Sequence, residues 1–278
     1  MDAQRTLGWY RARLGNFTGS EVGRLMQRNK SGDDFGKDAM SYIYEKAAER
    51  NMKEEVIADD ALFSEYLRQT NVTSKSMQFG IDYEDEARRL YEETTGRRIV
   101  ETGLCVSQEV PFFASSPDGF FYDEETGERG CIEIKCLGFE NFMYYAENVH
   151  DWKSLKDTNS KYYYQCLSHI MCTDSNWCDF VFYNPFQKNP LHVVRIKSDA
   201  FNRIEITRMI IQANAKIFDL LGLKSDTDES VEKNGKREFF RDAKGRFLSK
   251  RDYLRVKYCI NGKLDDLAGH IRQDTFKS

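Results

Sequence analysis

After Gly96 the hydrophobic repeat of this chain changes from a helical spacing to alternation, and that switch restricts it to folds in which helices cover a sheet. Upstream, helical patterns run over Met40 to Asn51, Asp59 to Gln69 and Lys75 to Thr95. The last is closed by Gly96 at the C-cap position, and Thr18 or Ser20 can cap a shorter helix through Gln27. Downstream, Arg98 to Val106, Val110 to Ser115 and Gly130 to Cys136 are rich in β-branched, aromatic and Cys residues, with PDG and ETGERG as turn signals between them. Glu140 to Asn148 and Lys161 to Thr173 return to the helical spacing, Trp177 to Tyr183 and Leu191 to Lys197 read as strands, and Phe201 to Leu221 as a closing helix. This order predicts an α/β (α+β) fold with a mixed central β-sheet flanked by helices.

Several functional classes lose their support at this level. The seven cysteines include no CxxC pair, and the six-residue steps Cys166, Cys172, Cys178 do not converge on one face of a helix, so reduced, mostly buried thiols are expected. The four histidines form no HExxH or Cys/His ligand box, which argues against zinc hydrolysis and His-based nucleophilic catalysis. No Walker, dinucleotide-binding or nucleophile-elbow string occurs. No run reaches the ~18 apolar residues of a membrane span, and MDAQRTLGWYRAR lacks a signal-peptide core, so a cytoplasmic protein is expected. Charge is unevenly spread, since Lys233 to Lys257 holds ten Lys and Arg against three Asp and Glu. The polar stretch SDTDESVEKNG precedes it, so a boundary is expected near residue 225, giving a body over 1–224 and a basic appendage over 225–278. Within the appendage FFRDAKGRFLSK reads as a hairpin, and the basic stretch suggests a contact to DNA or a partner.

The chemically informative stretch is Ser115-Ser116-Pro117-Asp118-Gly119, followed by Cys131-Ile132-Glu133-Ile134-Lys135-Cys136. Strand alternation puts Glu133 and Lys135 on one face and Ile132, Ile134 and Cys136 on the other. If Asp118, at the end of the preceding hairpin strand, comes next to Glu133, two carboxylates converge beside an ammonium. Such a site suits a hard dication that keeps open positions for water and phosphate oxygens. The alternative is a turn-forming Asp118 and an exposed Glu133–Lys135 pair.

With these motifs the chain resembles the PD-(D/E)XK nuclease superfamily, and within it the lambda exonuclease-like, YqaJ-type viral recombinases. The resemblance is carried by WYRARLGNFTGS (Trp9 to Ser20), MSYIYE, FGIDYEDEARRLYEETTG (Phe79 to Gly96), SSPDG, IEIKC, a helix with Gln165, and NP followed by LHVVRIKSD, in that order over about residues 9 to 222. It implies a restriction-endonuclease-like core in which Asp118 and Glu133, helped by the main-chain carbonyl of Ile134, bind Mg²⁺, with Mn²⁺ as a substitute, while Lys135 positions the attacking water. Glu84 would be a further acidic residue near the metal, although an i,i+4 pair with Arg88 explains it equally. Gln165 would lie close to the scissile phosphate, the alternative being a surface amide. Arg13, Ser20 and Ser116 match residues that hold a 5′-terminal phosphate, and Lys75 a lysine near DNA. Ser20 could instead be only a helix cap, and Arg13 the partner of a surface acid.

The activity this resemblance implies is Mg²⁺-dependent 5′-to-3′ exonuclease digestion of double-stranded DNA ends, releasing 5′-mononucleotides and leaving 3′ overhangs for recombination. It further implies a homo-oligomer, as a trimeric ring, a single-strand annealing protein as partner, and a phage or prophage origin in a bacterial host. A structure- or sequence-specific endonuclease, or a DNA-binding module that no longer cuts, are the alternatives.

Overall fold

The computed structural model describes residues 3–70, 74–198 and 200–223, with the backbone of 240–241 and 247–248. In chain order the elements are α1 (Leu7–Arg13), β1 (Phe17–Thr18), a 3₁₀ turn (Val22–Met26), α2 (Lys37–Arg50), α3 (Glu54–Ala58), α4 (Asp60–Thr70) and α5 (Lys75–Thr95). They continue with β2 (Cys105–Val106), β3 (Phe113–Ser115), β4 (Gly119–Tyr122), β5 (Arg129–Cys136), α6 (Phe139–Asn148), α7 (Trp152–Thr158), α8 (Ser160–Thr173), β6 (Trp177–Tyr183), β7 (Leu191–Lys197) and α9 (Ala200–Leu220).

Between residues 3 and 223 the expected single sheet is divided in two. One has the order β1-β3-β2 and the other β4-β5-β6-β7, in which β4/β5 and β6/β7 are antiparallel and β5/β6 parallel. The parallel pairing needs a crossover, and α6, α7 and α8 supply it. All seven residues of β6 are buried, as its central place requires, whereas β7 alternates at the edge. On one face Ile132, Ile134, Cys136 and Val181 pack against Ala87 and Tyr91 of α5. On the other, Cys131, Cys178, Phe180 and Phe182 meet Cys166, Leu167 and Ile170 of α8, with α2 and α9 behind. The alternation of β5 is thus read by two helices from opposite sides.

Local chemistry sets the boundaries. α5 begins where the Ser74 side chain accepts from the Met77 amide and ends at Gly96 with φ 71°, as its sequence predicts. α7, absent from the sequence reading along with α1, α3 and β4, opens on a capping box between Asp151 and Ser154. Two predicted strands are shorter than expected. Arg98 to Val106 keeps only a bridge at Val100 and the two residues of β2. Val110 to Ser115 starts pairing only at Phe113, because Pro111 has no amide proton to give and Phe112 takes a φ of 56°. The predicted capped helix through Gln27 is also different: Thr18 belongs to β1, and a 3₁₀ turn follows Glu21 with no side-chain cap.

All six described cysteines are free thiols, and Cys259 lies outside the described residues. No described helix is long and apolar enough to cross a membrane. In the basic appendage Phe240–Arg241 pairs antiparallel with Phe247–Leu248, as the hairpin pattern predicts; its turn residues, and the rest of Lys233 to Lys257, lie outside the described residues.

One position tests the packing of the main sheet. A Cβ on Gly130 would stand 2.5 Å from Cζ of Phe121 and 2.8 Å from Nε1 of Trp177. Gly130→Ala should therefore lower stability by about 1–3 kcal/mol, the usual cost of overpacking a filled core, read as a lower denaturant midpoint with an unchanged slope. An unchanged midpoint would mean that the Phe121 ring yields freely.

Candidate active site

β4 and β5 pair so that Gly119 faces Ile132, and Asp118 is the residue immediately before this register. It lies at the start of a hairpin strand, not at the end of the preceding one as the sequence suggested. The Asp118 amide donates to the Ile132 carbonyl at 3.0 Å, and its carboxylate Oδ2 accepts from the Ile134 amide at 2.6 Å. These two bonds hold Asp118 across the backbone of the strand that carries Glu133 and Lys135.

Glu133 is buried at 3 % exposure and accepts three hydrogen bonds. Oε1 takes one from Lys135 Nζ at 2.6 Å and one from Gln165 Nε2 at 2.7 Å, and Oε2 lies 2.7 Å from His169 Nε2. Gln165 and His169 stand one turn apart on α8, both facing the strand. Burial pushes the Glu133 carboxyl up, but Lys135 and His169 outweigh it and hold it at about 2. Asp118 goes the other way: burial and then repulsion from Glu133 and Glu84 raise it well above the ordinary carboxyl range. Burial works against the Lys135 charge too, yet Glu133 and Asp118 raise its pKa. Two neighbouring carboxylates thus differ in proton affinity because only one has the Lys135 ammonium and the His169 ring in contact.

These groups line a cavity of about 410 Å³. Glu84 enters it from α5, its two oxygens accepting from Arg88 at 3.1 Å and Arg5 at 2.9 Å. The i,i+4 pair with Arg88 is thus present, and the same carboxylate lines the cavity. Gln165 is buried, which removes the surface-amide alternative. Lys75 is exposed in the first turn of α5 and does not line the cavity.

Arg13, Ser20 and Ser116 line the same cavity. The Arg13 guanidinium lies over the Trp9 ring at 4.3 Å, and the Trp9 indole donates to Ser116 Oγ at 3.0 Å. Arg13 reaches Thr18 Oγ1 only at 3.4 Å, and among the described residues no carboxylate forms an ion pair with it. Desolvation lowers its pKa. A desolvated cation without an anion, facing a cavity, is a ready anion site. Ser20 caps no helix; it is exposed at the cavity wall.

Sequence reasoning passed over four residues here. Gln4 donates to the Pro117 carbonyl at 3.0 Å, and Arg5 reaches Glu84. His169 and Ser115 meet behind Glu133, with Nδ1 to Oγ at 2.7 Å. The four-residue step from Gln165 to His169 places both on one face of α8 without saying what that face meets, and nothing local marks Gln4 or Arg5.

Among the described residues no three His, Cys, Asp or Glu side chains gather into a closed metal cage. What is present is Asp118, Glu133 and the backbone of Ile134 on one cavity wall. These hard oxygen donors fit a Mg²⁺-type ion that retains waters, and do not fit a zinc site of His and Cys ligands.

The family profile described as the YqaJ-like viral recombinase domain matches residues 8–176, which include every residue from Arg13 to His169 discussed above. An alkaline exonuclease from Laribacter hongkongensis is 26 % identical, with a TM-score of 0.57 over 78 % of this chain and 97 % of that one. The same exonuclease in complex with dAMP aligns over 77 % of this chain and 96 % of that one, with 26 % identity and a TM-score of 0.57. A phage-related exonuclease from Haemophilus somnus 129PT shares the fold at 14 % identity and a TM-score of 0.54, over 74 % and 95 % of the two chains. No curated protein sequence matches the chain. The main sheet and the helices on both its faces are those of a lambda exonuclease-like PD-(D/E)XK fold, and the chain belongs to the YqaJ-like viral recombinase domain family.

Proposed function

We propose that this DNA exonuclease degrades double-stranded ends in the 5′-to-3′ direction, releasing 5′-mononucleotides and leaving 3′ single-stranded overhangs for recombination. The observation that carries the proposal is one cavity holding two convergent carboxylates, a lysine beside them and an arginine that forms no ion pair with a carboxylate among the described residues. The family and the exonuclease neighbours support it, as does the binding of a nucleoside monophosphate by the Laribacter enzyme.

Asp118 and Glu133, with the Ile134 carbonyl, would hold the divalent ion, Mg²⁺ with Mn²⁺ as a substitute. Such an ion, when bound, stabilises the charge that develops on the phosphate and the leaving 3′ oxygen. Lys135, fixed by Glu133, orients the water that attacks phosphorus, and Gln165 steadies the Glu133 carboxylate from α8 beside the scissile phosphate. Glu84 adds negative charge at the cavity wall, balanced by Arg5 and Arg88. Arg13, Ser20 and Ser116 hold the 5′-phosphate, with Trp9 bracing both Arg13 and Ser116. Residues 1–224 form the catalytic domain in this reading, and 225–278 a basic appendage that contacts DNA or a partner. A trimeric ring, a single-strand annealing partner and action in a bacterial cytoplasm rest on family resemblance alone.

A linear duplex and a covalently closed circle of the same sequence, each incubated with the protein and Mg²⁺, test the central claim. Digestion of the linear form alone is expected. Cutting of both would make the protein an endonuclease, and retention without cutting a binding module.

A further inference from the structure

We propose that His169 is a positioning residue that, with Ser115 behind it, fixes the orientation of the Glu133 carboxylate. The inference rests on the reading of Glu133 as a metal ligand and goes beyond it, to a buried relay that runs from the small sheet to the catalytic strand.

Ser115 ends β3 and His169 lies on α8; both are essentially without solvent contact, at 0 % and 1 % exposure. Their only route to Glu133 is through the imidazole, with Oγ to Nδ1 at 2.7 Å and Nε2 to Oε2 at 2.7 Å. An ionised carboxylate only accepts, so Nε2 carries a proton toward it. With the imidazole neutral, Nδ1 is then an acceptor and Ser115 must donate. In either charge state of the ring Nε2 donates to Glu133 while Ser115 meets Nδ1, so the orientation of the imidazole is set by the two groups at its ends. Gly19 makes room for the relay. A Cβ there would lie 2.1 Å from Ser115 Oγ, so a larger residue at position 19 would push the hydroxyl from its place beside His169.

The acceptor count gives the relay its effect. A carboxylate has about four lone-pair sites, and on Glu133 two on Oε1 face Lys135 and Gln165 while one on Oε2 faces His169. One site on Oε2 remains to meet a cation, and its direction follows from the bond to His169. Without that bond Oε1 would still be tethered, but the carboxylate plane could rotate about it and carry the free lone pair out of line with Asp118.

Side-chain reach separates positioning from simple packing. Gln has the same number of bonds from Cβ to its amide nitrogen as His has to Nε2, so Gln at position 169 can still donate to Oε2. The Asn amide ends where Nδ1 does, so it can meet Ser115 but not Glu133. The test is calorimetric titration of Mg²⁺ and Mn²⁺ into the full-length protein without DNA, for wild type, His169→Asn, His169→Gln, Ser115→Ala and Glu133→Gln. Melting curves and steady-state digestion accompany it. His169→Asn should weaken ion binding about 10- to 100-fold and lower kcat with little change in KM for DNA, while His169→Gln stays within about threefold of wild type. Ser115→Ala, which removes one hydroxyl, should move affinity in the same direction by a smaller factor, and it carries the test if the Asn variant does not fold. Wild-type ion affinity in both His169→Asn and Ser115→Ala would overturn the inference. So would equal losses in Asn and Gln that follow equal drops in melting temperature, since those would mark a packing role. Unchanged ion affinity in Glu133→Gln would overturn the metal-ligand reading itself, and the inference with it.

Discussion

Asp118→Asn and Glu133→Gln should each reduce hydrolysis by at least about 10³-fold, because each removes one unit of the charge that holds the ion, and loss of several kcal/mol of electrostatic stabilisation corresponds to that factor. DNA binding should survive in both, since Arg13, Ser20 and Ser116 are untouched. Their stabilities should diverge. The Asp118 charge is disfavoured by burial, Glu133 and Glu84, so Asp118→Asn should melt at or above wild type in the absence of divalent ions. Glu133 is held ionised by Lys135 and His169, so Glu133→Gln leaves a cation and a buried N–H donor facing a neutral amide and should melt below wild type. Lys135→Ala should be almost as inactive, with binding again retained. Initial digestion rates, DNA affinity and melting temperature for the three variants give the comparison. Wild-type turnover by any of them would remove that residue from the proposed chemistry.

A duplex with 5′-hydroxyl ends should be digested more slowly than the same duplex with 5′-phosphates, and Arg13→Ala should erase most of that difference. Arg13 stacks on Trp9 and forms no ion pair with a carboxylate among the described residues, so its guanidinium is available to an anion that enters the cavity. A charge-assisted bond to phosphate contributes about 1.5–3 kcal/mol, which predicts a loss of about ten- to a hundredfold on phosphorylated ends. Lysine at position 13 should rescue only part of it, keeping the charge but losing the bidentate fork and much of the stacking on the indole. Initial rates on both end types, for wild type and both variants, decide the matter. Equal wild-type rates on the two ends would take the phosphate pocket out of the mechanism and leave the carboxylate site standing.

The sequence by itself determined the elements whose signals are local. α5 runs over Lys75–Thr95 and stops at Gly96 as predicted, and β6 and β7 have the predicted bounds, because side-chain period and capping act within a few residues. The alternation of β5 likewise sufficed to set Glu133 and Lys135 on one face. Where pairing partners decide, the sequence was insufficient. Nothing in Arg98 to Val106 says that only its ends find partners, or that the strands divide between two sheets. His169 is the clearest case in the site. Scanned along the chain it is one of four dispersed histidines, and its role is visible only when α8 lies on β5 and brings Nε2 to 2.7 Å from Glu133. The seat of Arg13 on the Trp9 ring, and the arrival of Arg5 at Glu84 from 79 residues away, are also properties of the packed chain. Periodicity and caps encode which face a side chain takes, but its electrostatic partners come from distant segments, and only the tertiary structure brings those together.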